Sequence, residues 1–308
     1  MVNETVMDRL RGVAAGSALG DAFGMPLEFK PRRSGQNLVR NFTPGRLAAG
    51  SFTDDTEMAL ALAESLLHSR PLDGGDLAAR FLAWFRQDPP DVGTHTRAVL
   101  NRLAKGVPWQ DVIASTRVEL PDGAGNGSVM RCWPVAVAYW DDLEALLRDS
   151  ALQSEITHPH ADCVTASQLV NHMIYSLVHG AQPLEAFQTA VAAVDLNRDL
   201  RALLENAPKR QREELQNSGW VRHTLESAVW GLLTTHQFAD AVMAVANLGN
   251  DADTAAAVVG ALAGAAYGYA GIPADWRSQL RGEWPLESGR FLHAADFCAL
   301  ADQLAGAA

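Results

Sequence analysis

Apolar residues recur at helical spacing along almost the whole chain, whereas the period-two alternation of a half-buried strand is nearly absent. In residues 55–68, Met58, Leu62 and Leu66 recur every four positions, which places them on one face of a helix. Similar patterns predict helices at 76–86, 97–105, 128–139, 142–153, 162–179, 184–193, 221–235, 237–247, 254–269 and 293–305. We therefore expect an all-α fold, a compact orthogonal helical bundle of ten or more helices that forms a single domain over residues 1–308.

Two segments of small residues predict close packing between helices. Gly12, Gly16 and Gly20 recur every four residues, and residues 254–270 are rich in Ala and Gly. Small residues let two helix backbones approach each other. The second segment is at the lower length limit for a membrane span, and acidic residues precede it directly. We expect a buried helix there and no insertion into a membrane.

The charge balance limits the partners that this chain can have. There are 25 Lys and Arg against 36 Asp and Glu, a formal charge of −11, which argues against a nucleic-acid partner and weakly favours a monomer. The three cysteines are isolated and form no CxxC pair, as in cytosolic proteins with reduced thiols. No basic region followed by an apolar run occurs at the N-terminus, so we expect a cytoplasmic protein without a signal peptide.

Two acidic segments each stand directly before a strongly apolar helix. Either one alone is typical of a capped helix N-terminus. Together they offer four carboxylates and two hydroxyls, the oxygen ligands that Mg²⁺ or Mn²⁺ prefers. Two such ions can polarise a water and a substrate oxygen, and the absence of a His/Cys cluster argues against zinc. The candidate ligands are Thr53, Asp54, Asp55, Asp251, Asp253 and Thr254.

Several further motifs contain residues that could bind a ligand. The glycine-rich segment 123–131 allows backbone N–H groups to approach a phosphate, although an ordinary tight loop has the same composition. In Thr157-His158-Pro159-His160 we favour one histidine in a ligand pocket over a two-histidine metal site. The basic loop 30–53 runs into the first acidic segment and is a candidate lid, while 206–219 is typical of a solvated excursion.

Taken in order, these segments resemble those of the ADP-ribosylglycohydrolase family, which includes dinitrogenase reductase-activating glycohydrolase and the ADP-ribosyl-acceptor hydrolases. The resemblance covers nearly the whole chain, and the order of the motifs is more specific than any one of them. The matching pieces are GSALGDAFGMPLEF, FTDDTEMALALAESL, PDVGTHTRAVL, GAGNGSVMRCWPVA, ITHPHA, GWVRHTLESAVWGLL and NLGNDADTAAAVVGALAGAAYG.

The resemblance implies a compact all-α fold with two Mg²⁺ or Mn²⁺ ions held by the six ligands named above. It also implies that the glycine loop cradles ADP-ribose, and that His158 lies near the bound nucleotide. The residues of that loop which match the family motif are Gly125, Asn126, Gly127, Ser128 and Met130.

Three carboxylates are candidates for catalysis by the same resemblance. Asp91 lies in a D-x-G-x-x-T-R stretch like that of bacterial arginine-specific members, although those often have Asn where this chain has Thr94. Glu28 aligns with a glutamate that approaches the metals in serine-specific relatives, and Asp54 is both a ligand and a catalytic candidate.

The implied reaction is hydrolysis of the bond between ADP-ribose and an acceptor, with ADP-ribosyl-arginine on a protein favoured. ADP-ribosyl-serine, O-acetyl-ADP-ribose and other ADP-ribose conjugates stay open, as does a catalytically inactive ADP-ribose-binding protein. The acidic segments alone would also permit another two-metal hydrolase, for instance one that acts on phosphoesters.

Overall fold

The computed structural model describes residues 3–306, and the fold within them is all-α. The helices α1 to α15 are Glu4–Gly24, Asp54–His68, Gly74–Phe85, Thr94–Ala104, Trp109–Glu119, Trp133–Ala138, Leu143–Glu155, Ala161–Val178, Pro183–Ala193, Arg198–Asn206, Val221–Thr234, Phe238–Ala246, Ala252–Tyr267, Ala274–Gln279 and Ala294–Leu304. One antiparallel pair joins β1 (Gly282–Glu283) to β2 (Phe291–Leu292).

Helix periodicity located the long amphipathic helices correctly, with one difference in extent. The predicted helix 128–139 is confirmed only from Trp133 onward, because the preceding residues turn back on Asn126. The N–H groups of Val129 and Met130 both donate to the Asn126 carbonyl, at 3.0 and 3.2 Å. The segment that was predicted as the first turns of a helix is therefore part of the glycine-rich loop.

Four helices and the small hairpin were not predicted as such. The sequence indicated helix α1 only by the spacing of its small residues. The short helices α5, α10 and α14 are rich in charged or polar side chains, so their apolar periodicity is weak. The two strands contain two residues each, which is too short for alternation to be visible. No helix within residues 3–306 has the length and apolarity that a bilayer span requires.

Helices α1 and α13 pack antiparallel along a seam of glycines, as the small residues predicted. A Cβ on Gly12 would lie 2.3 Å from the Gly264 carbonyl oxygen, so the backbones touch directly. At the other end of the seam, a Cβ on Gly24 would lie 2.4 Å from the Cα of Asp253. The seam therefore brings the C-terminal end of α1 against the acidic N-terminus of α13.

The loop 30–53 is tied to the junction of α12 and α13. Backbone N–H of Val39 donates to Asn247 Oδ1 at 2.8 Å, and Asn247 Nδ2 donates to the Val39 carbonyl at 2.9 Å. The N–H of Phe29 donates to the Asn250 carbonyl at 2.7 Å. These hydrogen bonds hold the chain on both sides of a 3-10 turn in the loop, Gly35–Asn37, and place it beside the N-terminus of α13.

Candidate active site

A cavity of about 410 Å³ opens where the N-termini of α2 and α13 meet the end of α1 and the glycine-rich loop. This volume is in the range of small-molecule sites. Thirteen of the fifteen site residues predicted from the sequence line it: Glu28, Asp54, Asp55, Asp91, Thr94, Gly125, Asn126, Gly127, Met130, His158, Asp251, Asp253 and Thr254.

The two other predicted residues, Thr53 and Ser128, are buried and are not among the residues that line the cavity. Thr53 is the N-cap residue of α2, and its hydroxyl donates to Asp21 Oδ1 at 2.8 Å. Ser128 is fully buried, and its hydroxyl oxygen is 2.9 Å from Ser154 Oγ. The Ser128 hydroxyl therefore faces the protein interior, which leaves the backbone of Ser128 as the part that could contact a ligand, and its role in the glycine-rich loop stays a prediction.

Asp21 organises the first acidic segment, a role that the sequence did not reveal. Its carboxylate accepts four hydrogen bonds: from the N–H and hydroxyl of Thr53 at 2.9 and 2.8 Å, and from those of Thr56 at 3.2 and 2.6 Å. A carboxylate that accepts bonds from a neighbouring ligand group fixes the orientation of that group. The available signal was a single acidic residue in the apolar stretch of residues 10–27.

The acidic residues of both segments are held in an environment that disfavours their charges. Burial, followed by repulsion from neighbouring carboxylates, raises the pKa of Asp54, Asp55 and Asp253 well above the ordinary value. Asp55 Oδ1 is buried and has no hydrogen-bond partner among the described residues. A buried acceptor that lacks a donor, in a cavity lined by further carboxylates, is suited to a bound cation.

Asn126 of the glycine-rich loop holds the second acidic segment in position. Its Nδ2 donates to Asp251 Oδ2 at 2.6 Å and to Thr224 Oγ1 at 2.8 Å. The hydrogen bond from Asn126 favours the ionised form of Asp251, but burial has the larger effect and raises the pKa of this carboxyl. The glycine-rich loop and the acidic segment are therefore parts of one site.

One group of three carboxylates within residues 3–306 has oxygens within 4.8 Å of one another: Glu28, Asp91 and Asp253. Only Asp253 of this group belongs to the predicted ligand set. Arg46, which lies on the loop 30–53, extends its guanidinium into the group. It contacts the carboxylates of Glu28 and Asp91, and its Nη2 is 3.6 Å from Asp253 Oδ2.

The two histidines of the 157–160 motif have separate positions. His158 is buried in the cavity wall against the glycine-rich loop, where a Cβ on Gly127 would lie 2.7 Å from its Cε1. His160 is the N-cap residue of α8, and its Nδ1 accepts from the N–H of Asp162 at 3.1 Å. The structure agrees with one pocket histidine, and His160 has the ordinary role of a helix cap.

Two residues at the cavity mouth were not singled out from the sequence. Arg46 stands in a basic loop, and long loops give no periodic signal from which a contact could be predicted. Phe29 lines the mouth with 77% of its surface exposed, and its backbone has a left-handed φ of 55°. An exposed aromatic side chain in this strained conformation is unusual, and such residues concentrate at functional sites.

Comparison with known proteins gives one consistent result. The family model described as ADP-ribosylglycohydrolase matches residues 2–308. The ADP-ribosylarginine hydrolase Tri1 of Pseudomonas putida is 36% identical over 89% of this chain and 74% of the relative. The ADP-ribosyl-[dinitrogen reductase] glycohydrolase of Rhodospirillum rubrum is 33% identical over 91% and 92%. A solved structure, titled ADP-ribosylglycohydrolase-related protein complex, superimposes with a TM-score of 0.82 at 32% identity and covers 99% of both chains.

Proposed function

The chain belongs to the ADP-ribosylglycohydrolase family of hydrolases, and on that premise we propose that it cleaves ADP-ribose from arginine side chains of proteins, reversing mono-ADP-ribosylation. The two relatives named for hydrolysis of ADP-ribosylarginine and of ADP-ribosyl-dinitrogen reductase support this reaction. The human ADP-ribosylhydrolase ARH3 is less similar, at 26% identity.

The observation that carries the arginine assignment is the guanidinium of Arg46. It lies among Glu28, Asp91 and Asp253 at one end of the cavity. Carboxylates bind a guanidinium more strongly than they bind the other side chains that can carry ADP-ribose. The guanidinium is planar and always charged, and it can donate several hydrogen bonds at once. A subsite that holds an internal guanidinium is suited to the guanidinium of a modified arginine, whereas a serine acceptor has no cationic group.

The acidic segments fit a pair of Mg²⁺ or Mn²⁺ ions. The fit rests on the unpartnered Oδ1 of Asp55 and on the raised pKa values of Asp54, Asp55 and Asp253, which a bound cation would lower. When bound, such ions would orient the ribose hydroxyls and polarise a water or substrate oxygen. The residues that would hold them are Thr53, Asp54, Asp55, Asp251, Asp253 and Thr254.

The residues of the chain have distinct tasks in this reaction. Water contributes a hydroxyl to the anomeric carbon, while the C–N bond breaks and its electron pair leaves on the guanidine nitrogen. A carboxylate, Asp91 or Glu28, accepts the proton of the water, and a proton returns to the leaving nitrogen. The other carboxylate stays ionised and stabilises positive charge that develops on the ribose ring. The glycine loop holds the nucleotide against His158.

Parallel assays of ADP-ribosyl-arginine, ADP-ribosyl-serine and a generic phosphodiester, with Mg²⁺ or Mn²⁺ present, test this proposal. We expect turnover of the arginine conjugate and loss of about 10²-fold or more in Asp91→Asn or Glu28→Gln. Asp122→Asn, an exposed aspartate just before the glycine-rich loop, is the matched control. Faster release from serine would refute the arginine assignment, and ADP-ribose binding without any turnover would refute the enzymatic one.

A further inference from the structure

Arg131 is a fully buried cation, and it forms no salt bridge within residues 3–306. Its guanidinium donates to Gln153 Oε1 at 3.1 Å, to the Gln153 carbonyl at 3.0 Å and to Thr157 Oγ1 at 2.8 Å. It also lies 4.3 Å from the ring centroid of Phe81. Burial of a charge without a counterion is costly, so this placement calls for an explanation beyond packing.

The explanation lies in the direction of the hydrogen bonds. A guanidinium has only donors, so Thr157 Oγ1 must accept from Arg131, and its own hydrogen is free to be donated. The partner within reach is His158 Nδ1, 2.8 Å from Thr157 Oγ1. A protonated Nδ1 would use the second lone pair of Thr157 Oγ1 and leave the buried hydroxyl hydrogen without an acceptor among the described residues. Nδ1 is therefore the unprotonated acceptor, and the single proton of a neutral imidazole is on Nε2.

We propose that Arg131 and Thr157 are positioning residues which fix His158 as the Nε2–H tautomer, so that the cavity presents a neutral N–H donor beside the glycine-rich loop. The matching ligand group is an uncharged or anionic oxygen, such as a diphosphate or ribose oxygen of ADP-ribose. The identity of the ligand rests on the proposed function. The tautomer rests only on the contacts of Arg131, Thr157 and His158.

The geometry of the cavity wall agrees with this arrangement. The Nε2 edge of His158 faces the glycine-rich loop, since a Cβ on Gly127 would lie 3.0 Å from Nε2 and one on Gly125 would lie 3.3 Å from it. The opposite edge of the ring faces Thr157. The donor is therefore directed to the place where backbone N–H groups of a glycine loop would meet the same anionic ligand.

The surroundings also keep His158 neutral. Burial, together with the nearby His95 and Arg131, lowers the pKa of His158 well below its ordinary value. Burial lowers the pKa of Arg131 to about 9, so its guanidinium is still charged at neutral pH. His95 has its own partner, because its Nε2 is 2.8 Å from the Thr157 carbonyl oxygen. Neutral His158 therefore has one acceptor nitrogen, Nδ1, and one donor nitrogen, Nε2.

The tautomer can be read directly from ¹⁵N chemical shifts of the His158 ring in the ligand-free protein labelled with ¹⁵N-histidine. We expect a bare Nδ1 and a protonated Nε2 in the wild type and in Thr157→Ser, which keeps the hydroxyl. Thr157→Val removes the donor and should give a mixture of tautomers. A protonated Nδ1 in the wild type, or an unchanged tautomer in Thr157→Val, would overturn the proposal.

Binding of ADP-ribose, the product, measured by calorimetry provides the second readout. Thr157→Val should weaken binding about fivefold, the equivalent of one hydrogen bond, and Thr157→Ser should restore it. His158→Gln places an amide N–H near the position of Nε2 and should bind better than His158→Asn. Equal binding by Thr157→Val and the wild type would overturn the role in ligand binding. If the wild type fails to bind ADP-ribose, the proposed function is wrong, and the ring shifts still decide the tautomer.

Discussion

Replacing Asp21 by Asn should lower the affinity for Mg²⁺ or Mn²⁺ by about 10- to 100-fold, although Asp21 itself need not touch the ion. The amide oxygen of Asn can take the place of Oδ2, which accepts three bonds, and its NH₂ then faces the Thr53 hydroxyl that Oδ1 formerly accepted from. That hydroxyl must rotate, so Thr53 and the first turn of α2 lose their fixed orientation. The expected loss corresponds to roughly 1.4–2.7 kcal/mol of binding free energy.

Stability should fall in the same variant, since three hydrogen bonds lose their charge assistance and one must be replaced. At about 1 kcal/mol for each bond, the loss is roughly 2–4 kcal/mol. Repulsion offsets part of it in the metal-free protein, because the charge of Asp21 raises the pKa of Asp55 and Asp253. Calorimetric titration with Mn²⁺ and urea unfolding in EDTA measure the two effects separately.

Asp149→Asn is the matched control for this prediction. Asp149 is also buried and accepts from the N–H of Leu72 at 3.0 Å, the hydroxyl of Tyr139 at 2.6 Å and Nε of Arg148 at 2.8 Å, outside the acidic segments. Its replacement should cost a similar amount of stability and leave metal affinity unchanged. If Asp21→Asn binds Mn²⁺ within twofold of the wild type, or if both variants lose the same affinity, Asp21 has no orienting role.

Three further predictions concern the cavity mouth, the helix seam and pH. Arg46→Ala should lower KM for ADP-ribosyl-arginine about two- to fivefold in steady-state assays, because the partly exposed guanidinium of Arg46 no longer competes with the guanidinium of the substrate. Arg40→Ala on the same loop is the control and should leave KM unchanged. Gly260→Ala should reduce the free energy of unfolding, measured in urea, by about 1–3 kcal/mol, because the new Cβ would lie 2.2 Å from the Gly16 carbonyl oxygen. An unchanged urea midpoint would contradict the close packing of α1 against α13. In metal-free protein the acidic-segment carboxyls should stabilise the fold less as pH rises above about 4, because burial raises their pKa and the folded state then binds more protons at these groups than the unfolded state. Urea unfolding at several pH values measures this, and a fall in stability no steeper than that of Asp54→Asn would refute the sign.

The parts of the site that could be predicted from sequence are those whose signal is local. Asp54 and Asp55 stand at the start of a helix with clear periodicity, so their position at a helix N-terminus follows from short-range patterns. Their pairing with the second acidic segment was inferred from the matching composition of the two segments and from the family resemblance. The glycine spacing of α1 likewise predicted close packing, because four residues make nearly one helical turn. Fold class followed from the same periodicity.

What could not be predicted depends on contacts between distant positions. Asp21 meets Thr53 across 32 positions of the chain, and no short-range pattern shows which residue a buried carboxylate will contact. Arg46 reaches its carboxylates from a loop without periodicity, and Ser128 turns inward because Ser154 offers its hydroxyl a partner. In each case the tertiary contact decides the role of the residue.

The glycine seam makes the spacing of the carboxylates depend on a surface that has no functional groups of its own. Gly260 is seven residues along α13 from Asp253, about 10 Å away, yet any side chain there would push α1 and α13 apart. In a mutational scan such positions would score like catalytic residues without touching substrate. Attempts to change the acceptor range by directed evolution should therefore vary the loop 30–53 and leave the seam intact, since the loop brings Arg46 to the carboxylates of the cavity and the seam fixes the spacing of α1 and α13.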